Sequence, residues 1–169
     1  MEIKIRPYEP SDLEACRRLW TELTERHRQI YEDPSIGGEN PGEFFDTYLQ
    51  DPNLRGVWVA ETDHKVIGLT GLMVNLFGET DVEPAVVLSD FRSRGVGRKM
   101  VDHVIAEARK KKMKRLSARP VARNIEAISF FVRAGFDIVG HIDLSQDLDP
   151  DSDIDRKSGL VIHGNSLKF

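Results

Sequence analysis

The chain has 169 residues, of which 40% are hydrophobic and 31% charged, an ordinary balance for one soluble globular domain covering residues 1–169. Its formal net charge of −4 argues against a broadly basic nucleic-acid-binding surface. No apolar run is long enough to span a bilayer, and Met1–Arg6 alternates polar and apolar residues where a signal peptide would be continuously apolar, so no membrane association is expected and the expected location is the cytoplasm.

Ile3–Pro7 reads as a short strand. Ser11 and Glu14 have the spacing of a capping box, and the helix they open runs to about Ile30 with Leu13, Cys16, Leu19, Trp20 and Leu23 on one face. Cys16 is the only cysteine, so it forms no internal disulfide; with no base suggested beside it, it reads as a packed residue. Asp33–Pro41 is a loop, and a shorter helix is expected around Gly42–Leu49. Val57–Ala60 and Val66–Leu76 form a hairpin about the turn Thr62–Lys65, and Gly68 and Gly71 mark a bulge or a close backbone approach. After a turn at Gly78–Asp81, Val82–Leu88 reads as a strand buried on both faces.

A helix over Val96–Lys112 places Val101, Val104, Ile105 and Ala108 inside, with Lys110, Lys111 and Lys112 at its negative end. Arg115–Ala118 reads as a strand, Asn124–Ala134 as a helix closed by Gly135, Phe136–Leu144 as a strand and Gly159–Phe169 as the last strand. The class is therefore α/β, with a β-α-α-β-β-β-α-β-α-β-β order. Between Asp143 and Asp155 an aspartate recurs at every second position from Asp147, but the glycine and terminal glutamate of a calcium loop are missing. The histidines are scattered, and no metal site is expected.

The chemistry concentrates in Val86–Arg98. A strand runs into a tight, glycine-containing loop that opens a helix, and such a loop turns free backbone N–H groups toward an anion at the positive end of a helix dipole. Gly95 and Gly97 permit close approach, and Arg92, Arg94 and Arg98 add positive charge. A Walker P-loop does not fit, because no glycine stands at the required distance before Gly97-Arg98-Lys99 and no Ser or Thr follows the lysine. The dinucleotide fingerprint does not fit either, since Met100 stands where a Gly or Ala belongs. The remaining pattern is Arg92-x-x-Gly95-x-Gly97. It resembles the coenzyme-A pyrophosphate loop of the GNAT N-acetyltransferases, and Asn124-x-x-Ala127-x-x-Phe130-Phe131-x-x-x-Gly135-Phe136 resembles that family's second motif.

The resemblance implies the acyl-CoA N-acyltransferase fold: a mixed, mostly antiparallel sheet splayed around the cosubstrate and flanked by helices. It implies acetyl-CoA as cosubstrate, held by Val87, Leu88, Arg92, Ser93, Arg94, Gly95, Val96, Gly97, Arg98, Asn124 and Phe131. Main chain near Val87 and Leu88 would hold the pantetheine arm and aim an N–H at the thioester carbonyl. Glu83 matches the position of the carboxylate that, in many members, takes the amine's proton through water. Arg119 could bind an acceptor carboxylate or be a surface cation. Phe131 departs from the family, whose members often carry a proton-donating Tyr there; Tyr8, Tyr31 and Tyr48 are the other tyrosines available. The expected acceptor is an amine on a small molecule, peptide or protein, and a homodimer is common in the family. Two other readings stand beside this one: a non-catalytic acyl-CoA-binding regulator of the same fold, motivated by Phe131, and a nucleic-acid contact made by Arg92–Arg98.

Overall fold

The computed structural model describes residues 2–74, 79–148 and 156–169, which fall into two compact units, Met1–Arg119 and Pro120–Phe169. In the first unit four antiparallel strands lie in chain order: β1 (Lys4–Pro7), β2 (Leu54–Thr62), β3 (Lys65–Val74) and β4 (Thr80–Val87). Helices α1 (Leu13–Tyr31) and α2 (Phe44–Leu49) cover one face of this sheet, and α3 (Val96–Lys110) covers the other.

The two faces follow from strand alternation. Val59, Leu69 and Val86 pack with Cys16 and Leu19 of α1 and Phe45 and Tyr48 of α2. Their neighbours Ala60 and Val87 turn the other way, toward Ile67 and toward Val96 and Met100 of α3. Along α3, Val96, Met100, Val101, Val104 and Ala108 form one buried stripe. β4 is less buried than its apolar sequence suggests, because Ala85 is exposed and Val87 only half-buried.

The entry to α1 differs from the capping box expected at Ser11. A short 3-10 turn, Pro10–Asp12, precedes the helix, and the Glu9 N–H donates to the Asp12 carboxylate at 2.9 Å. Arg6 decides this: its guanidinium reaches both Asp12 oxygens at 2.7 and 2.8 Å, and its Nε reaches Glu61 at 2.7 Å. The Ser11 hydroxyl cannot compete with an ion pair that holds Asp12 in place.

Strand ends also move. The β2–β3 turn tightens to Asp63-His64, both at positive φ, as a two-residue hairpin turn requires. Thr80 and Asp81 belong to β4 and not to a preceding turn, while Leu76 and Gly78 lie outside the described residues. Gly71 sits where the β3–β4 register shifts, between Thr70 and Leu72, as its place in the sequence suggested.

Arg115–Ala118 makes one parallel bridge, Ser117 to Asp81, and not a full strand. Its bonds are Ser117 N–H to Thr80 and Val82 N–H to Ser117, both 2.8 Å. The next donor on that edge of β4 would be the nitrogen of residue 84, and Pro84 has no N–H. Pairing therefore stops at Val82.

In the second unit α4 spans Ile125–Arg133, with the Asn124 side chain accepting from the Ala127 N–H at 3.1 Å and Gly135 at φ +98° closing it. Phe136–Leu144 forms no strand, and Ile138, Val139, Ile142 and Leu144 are exposed. Alternation permits a strand but supplies no edge to pair with, and the sheet described in this unit pairs only with itself. Gly159–Phe169 is a hairpin and not one strand: β5 (Ser158–Ile162) turns at His163-Gly164 into β6 (Asn165–Lys168). The polar, glycine-containing run His163-Gly164-Asn165-Ser166 between the apolar residues Leu160–Ile162 and Leu167 marks this turn. Of the aspartate-rich stretch, residues 149–155 lie outside the described residues.

Candidate functional site

The end of β4 and the start of α3 build the centre of the site. Gly68 faces Val87, and the Leu88 N–H donates to Ile67 at 2.9 Å. In an antiparallel ladder this leaves the N–H and C=O of Val87 pointing away from β3, along the edge that Pro84 leaves unpaired. Leu88 is different: its N–H is used on Ile67 and its carbonyl accepts from Phe91 at 2.9 Å.

From Ser89 to Phe91 the chain makes one 3-10 turn, then reverses through Ser93 at φ +58° and Gly95 at φ +80°. A Cβ at Gly95 would meet nothing within 4 Å, so the main chain is open to an approaching ligand. Helix bonding begins with the Lys99 N–H on the Gly95 carbonyl, at 3.1 Å. The N–H groups of Val96 and Gly97 therefore have no acceptor within the helix. The first turn of α3 holds no acidic residue, and the Val96 side chain is buried beneath it. An open cradle of N–H groups at a helix's positive end fits a pyrophosphate.

The arginines of this loop have separate jobs. Arg92 turns back, donating Nε to the Val87 carbonyl at 3.0 Å and Nη2 to Glu22 of α1 at 3.1 Å. The same Glu22 oxygen accepts the Ser89 N–H at 2.7 Å. Arg98 lies along its helix, with Nε 2.9 Å from both Asp102 oxygens. Arg94 stacks over Phe91, 5.6 Å from the ring centroid. Glu22 was not foreseen, since it stands on the polar face of α1 and meets the loop only in the folded chain.

Four residues upstream of Val87, Glu83 is exposed at the side chain, while its main-chain oxygen accepts the buried Tyr48 hydroxyl at 2.6 Å. Although the residue is exposed, neighbouring protein removes part of the water around the Glu83 carboxyl, and this and then the Asp81 carboxylate push its pKa above the ordinary value, with Arg119 pulling the other way. Arg119 donates to Asp81 at 3.2 Å and to Glu79 at 2.9 Å, so carboxylates of the chain itself already engage it. Tyr48 is no spare proton donor: burial, and then Glu83, raise its pKa. Tyr8 packs edge-on against Phe45, and Tyr31 lies at the end of α1.

Asn124 and Phe131 belong to the second unit. Asn124 is the N-cap of α4, and the Phe131 ring packs at 5.1 Å from Phe130 and 5.3 Å from Phe136. Cys16 is fully buried and its thiol is pushed up to about 12 by that burial, which removes it as a nucleophile. Among the described residues no group of three or more potential ligands could hold a metal, and no helix is long and apolar enough to cross a membrane.

Residues 14–136 match the family model described as the acetyltransferase (GNAT) family. None of the curated proteins matches the chain. Among solved structures, a transcriptional regulator from Bacillus halodurans is 20% identical, with 87% of this chain and 100% of that one aligned at a TM-score of 0.64. Glucosamine-6-phosphate N-acetyltransferase from Arabidopsis thaliana is 19% identical over 88% of this chain and 100% of its own, at a TM-score of 0.61. An aminoglycoside N-acetyltransferase in complex with CoA is 18% identical over 88% of this chain and 96% of its own, at a TM-score of 0.64. Likeness at these identities establishes the fold.

Proposed function

The chain belongs to the acetyltransferase (GNAT) family and is an acetyl-CoA-dependent N-acetyltransferase; from that premise we propose that it acetylates a primary amine by direct attack on the thioester, with Glu83 as the base. The junction of β4 and α3 carries this reading, because the outward-facing main chain of Val87 leads into the loop that opens the N–H groups of Val96 and Gly97. The pyrophosphate of acetyl-CoA lies on those groups, in the loop Arg92, Ser93, Arg94, Gly95. The pantetheine arm follows Val87. The family match runs across the boundary at residue 119, which supports counting residues 1–169 as one domain.

The amine arrives protonated, with a pKa of roughly 10 for a lysine-like group. Glu83 accepts that proton through water, and its raised pKa makes it a stronger base than an ordinary glutamate. The nitrogen lone pair then forms the N–C bond, the Val87 N–H steadies the oxygen as charge develops, and the C–S bond breaks. The thiolate, with a thiol pKa of roughly 8.5, leaves, and the second proton shed by the nitrogen passes through water to it, giving the neutral amide and the coenzyme-A thiol. The acceptor is a small molecule, peptide or protein amine; a cytoplasmic setting and a homodimer complete the proposal.

Thermal unfolding with and without acetyl-CoA tests the reading. At 100 times its Kd the ligand stabilises the fold by about 2.7 kcal/mol. Gly95→Glu puts bulk and negative charge on the cradle and abolishes that shift. Wild type that is not stabilised by millimolar acetyl-CoA overturns the assignment.

A further inference from the structure

Several cations of the first unit sit on carboxylates: Arg17 on Asp46, Arg28 on Glu25, Arg98 on Asp102 and Arg119 on Asp81. Lys65 and Arg94 do not. The Lys65 ammonium lies 5.4 Å from the centroid of the Phe91 ring and the Arg94 guanidinium carbon 5.6 Å from it. Neither makes an ion pair among the described residues, although the acids Asp63 and Asp90 are close by in sequence. One aromatic ring thus gathers two like charges from distant parts of the chain.

The ring is a fixed platform. Phe91 packs against the buried cluster of Ala60, Ile67, Val96 and Met100, so it does not swing with the loop. The Lys65 main chain is fixed beside it, because it closes the Asp63-His64 turn opposite Thr62. Arg94 immediately precedes Gly95, whose φ of +80° starts α3. Two cations on a shared ring repel one another, and an anion between them reverses the sign of that interaction.

We propose that Lys65 and Arg94, held on Phe91, form a subsite for the 3′-phosphomonoester of acetyl-CoA. The inference rests on the acetyl-CoA assignment above. Coenzyme A carries that phosphate on its ribose, a few bonds from the pyrophosphate, and Arg94 stands one residue before the pyrophosphate cradle. A phosphomonoester bears nearly two negative charges at neutral pH and three acceptor oxygens, which suits a guanidinium paired with an ammonium. The protein therefore selects the 3′-phosphorylated cosubstrate through a lysine that lies outside the glycine-loop motif.

Calorimetric titration of wild type, Lys65→Gln and Arg94→Gln with acetyl-CoA and with acetyl-3′-dephospho-CoA tests this. Wild type binds acetyl-CoA about tenfold more tightly, since each exposed charge pair contributes a factor of up to about five. In each variant the preference falls severalfold toward one, and in wild type it shrinks as ionic strength rises. Melting curves without ligand confirm that both variants fold. Wild type that binds the two ligands equally overturns the subsite and leaves the acetyl-CoA assignment standing. Variants that lose affinity for both ligands in the same proportion also overturn it, because the cations would then act on the pyrophosphate. Wild type that binds neither ligand overturns the assignment itself.

Discussion

The Tyr48 hydroxyl donates to the main-chain oxygen of Glu83 at 2.6 Å, and Gly71 is the residue that makes room for it. A Cβ built at Gly71 would fall 1.8 Å from that hydroxyl and 2.6 Å from the Glu83 oxygen. A side chain of α2, the shifted register of β3 and the proposed base on β4 thus meet at one point. Tyr48→Phe leaves the Glu83 carbonyl without this donor and costs about 1–2 kcal/mol in urea unfolding. It also lowers kcat by roughly tenfold, by loosening the strand that aims Glu83, while the Kd for acetyl-CoA is unchanged. A variant that lost stability with kcat intact would show that the bond serves the fold alone.

Glu83→Gln tests the base directly. It lowers kcat by about 10²–10⁴ with little change in acetyl-CoA affinity. The loss shrinks at high pH, where the amine deprotonates without help. The folded pKa of Glu83 is raised, so the acid limb of the wild-type rate profile lies above the ordinary carboxylate range, and activity falls as pH drops through it. The same shift means the folded state binds more protons here than the unfolded state, so ionised Glu83 weakens the fold as pH rises. Glu83→Gln is accordingly no less stable than wild type at neutral pH. Wild-type turnover at every pH in this variant would remove Glu83 from the mechanism.

Asp12 carries the opposite linkage. Its hydrogen bonds from Arg6 hold its carboxyl below the usual value, so its contribution is present above the unfolded pKa of roughly 3.9 and is lost as pH falls through the lower folded one. Asp12→Asn costs about 2 kcal/mol at neutral pH, since Arg6 keeps only Glu61 as an ionic partner. Unfolding curves of the two proteins converge as pH falls through the lowered folded pKa of Asp12, and curves that stayed parallel would assign the cost to something other than this pair.

Phe131 is where the chain leaves the family pattern. Its ring packs with Phe130 and Phe136, and the added hydroxyl of Phe131→Tyr is tolerated because the residue is only half-buried. Turnover rises or stays level, since a coenzyme-A thiolate already leaves well without a general acid. Steady-state kinetics on both proteins decide the matter. Wild type with no turnover on any amine, and activity only in the Tyr variant, would show that Phe131 marks a lost catalytic step.

Sequence alone determined the features that are local. The Gly95 turn and the N–H groups of Val96 and Gly97 left open after it depend on a few consecutive dihedrals and on the absence of a side chain, and both are written in Arg92–Arg98. The cap at Asn124 and the stop at Gly135 are local in the same sense. Tertiary structure decided whatever needed a partner. Tyr48 and Glu83 are 35 positions apart, and Glu22 and Ser89 are 67 apart, so no window of sequence contains either pair. Phe136–Leu144 has the alternation of a strand yet found no edge to join, whereas Ser117 found one for a single bridge before Pro84 ended the ladder. A turn satisfies its backbone within itself, but a strand is satisfied only by its neighbour, and the neighbour is chosen by the fold.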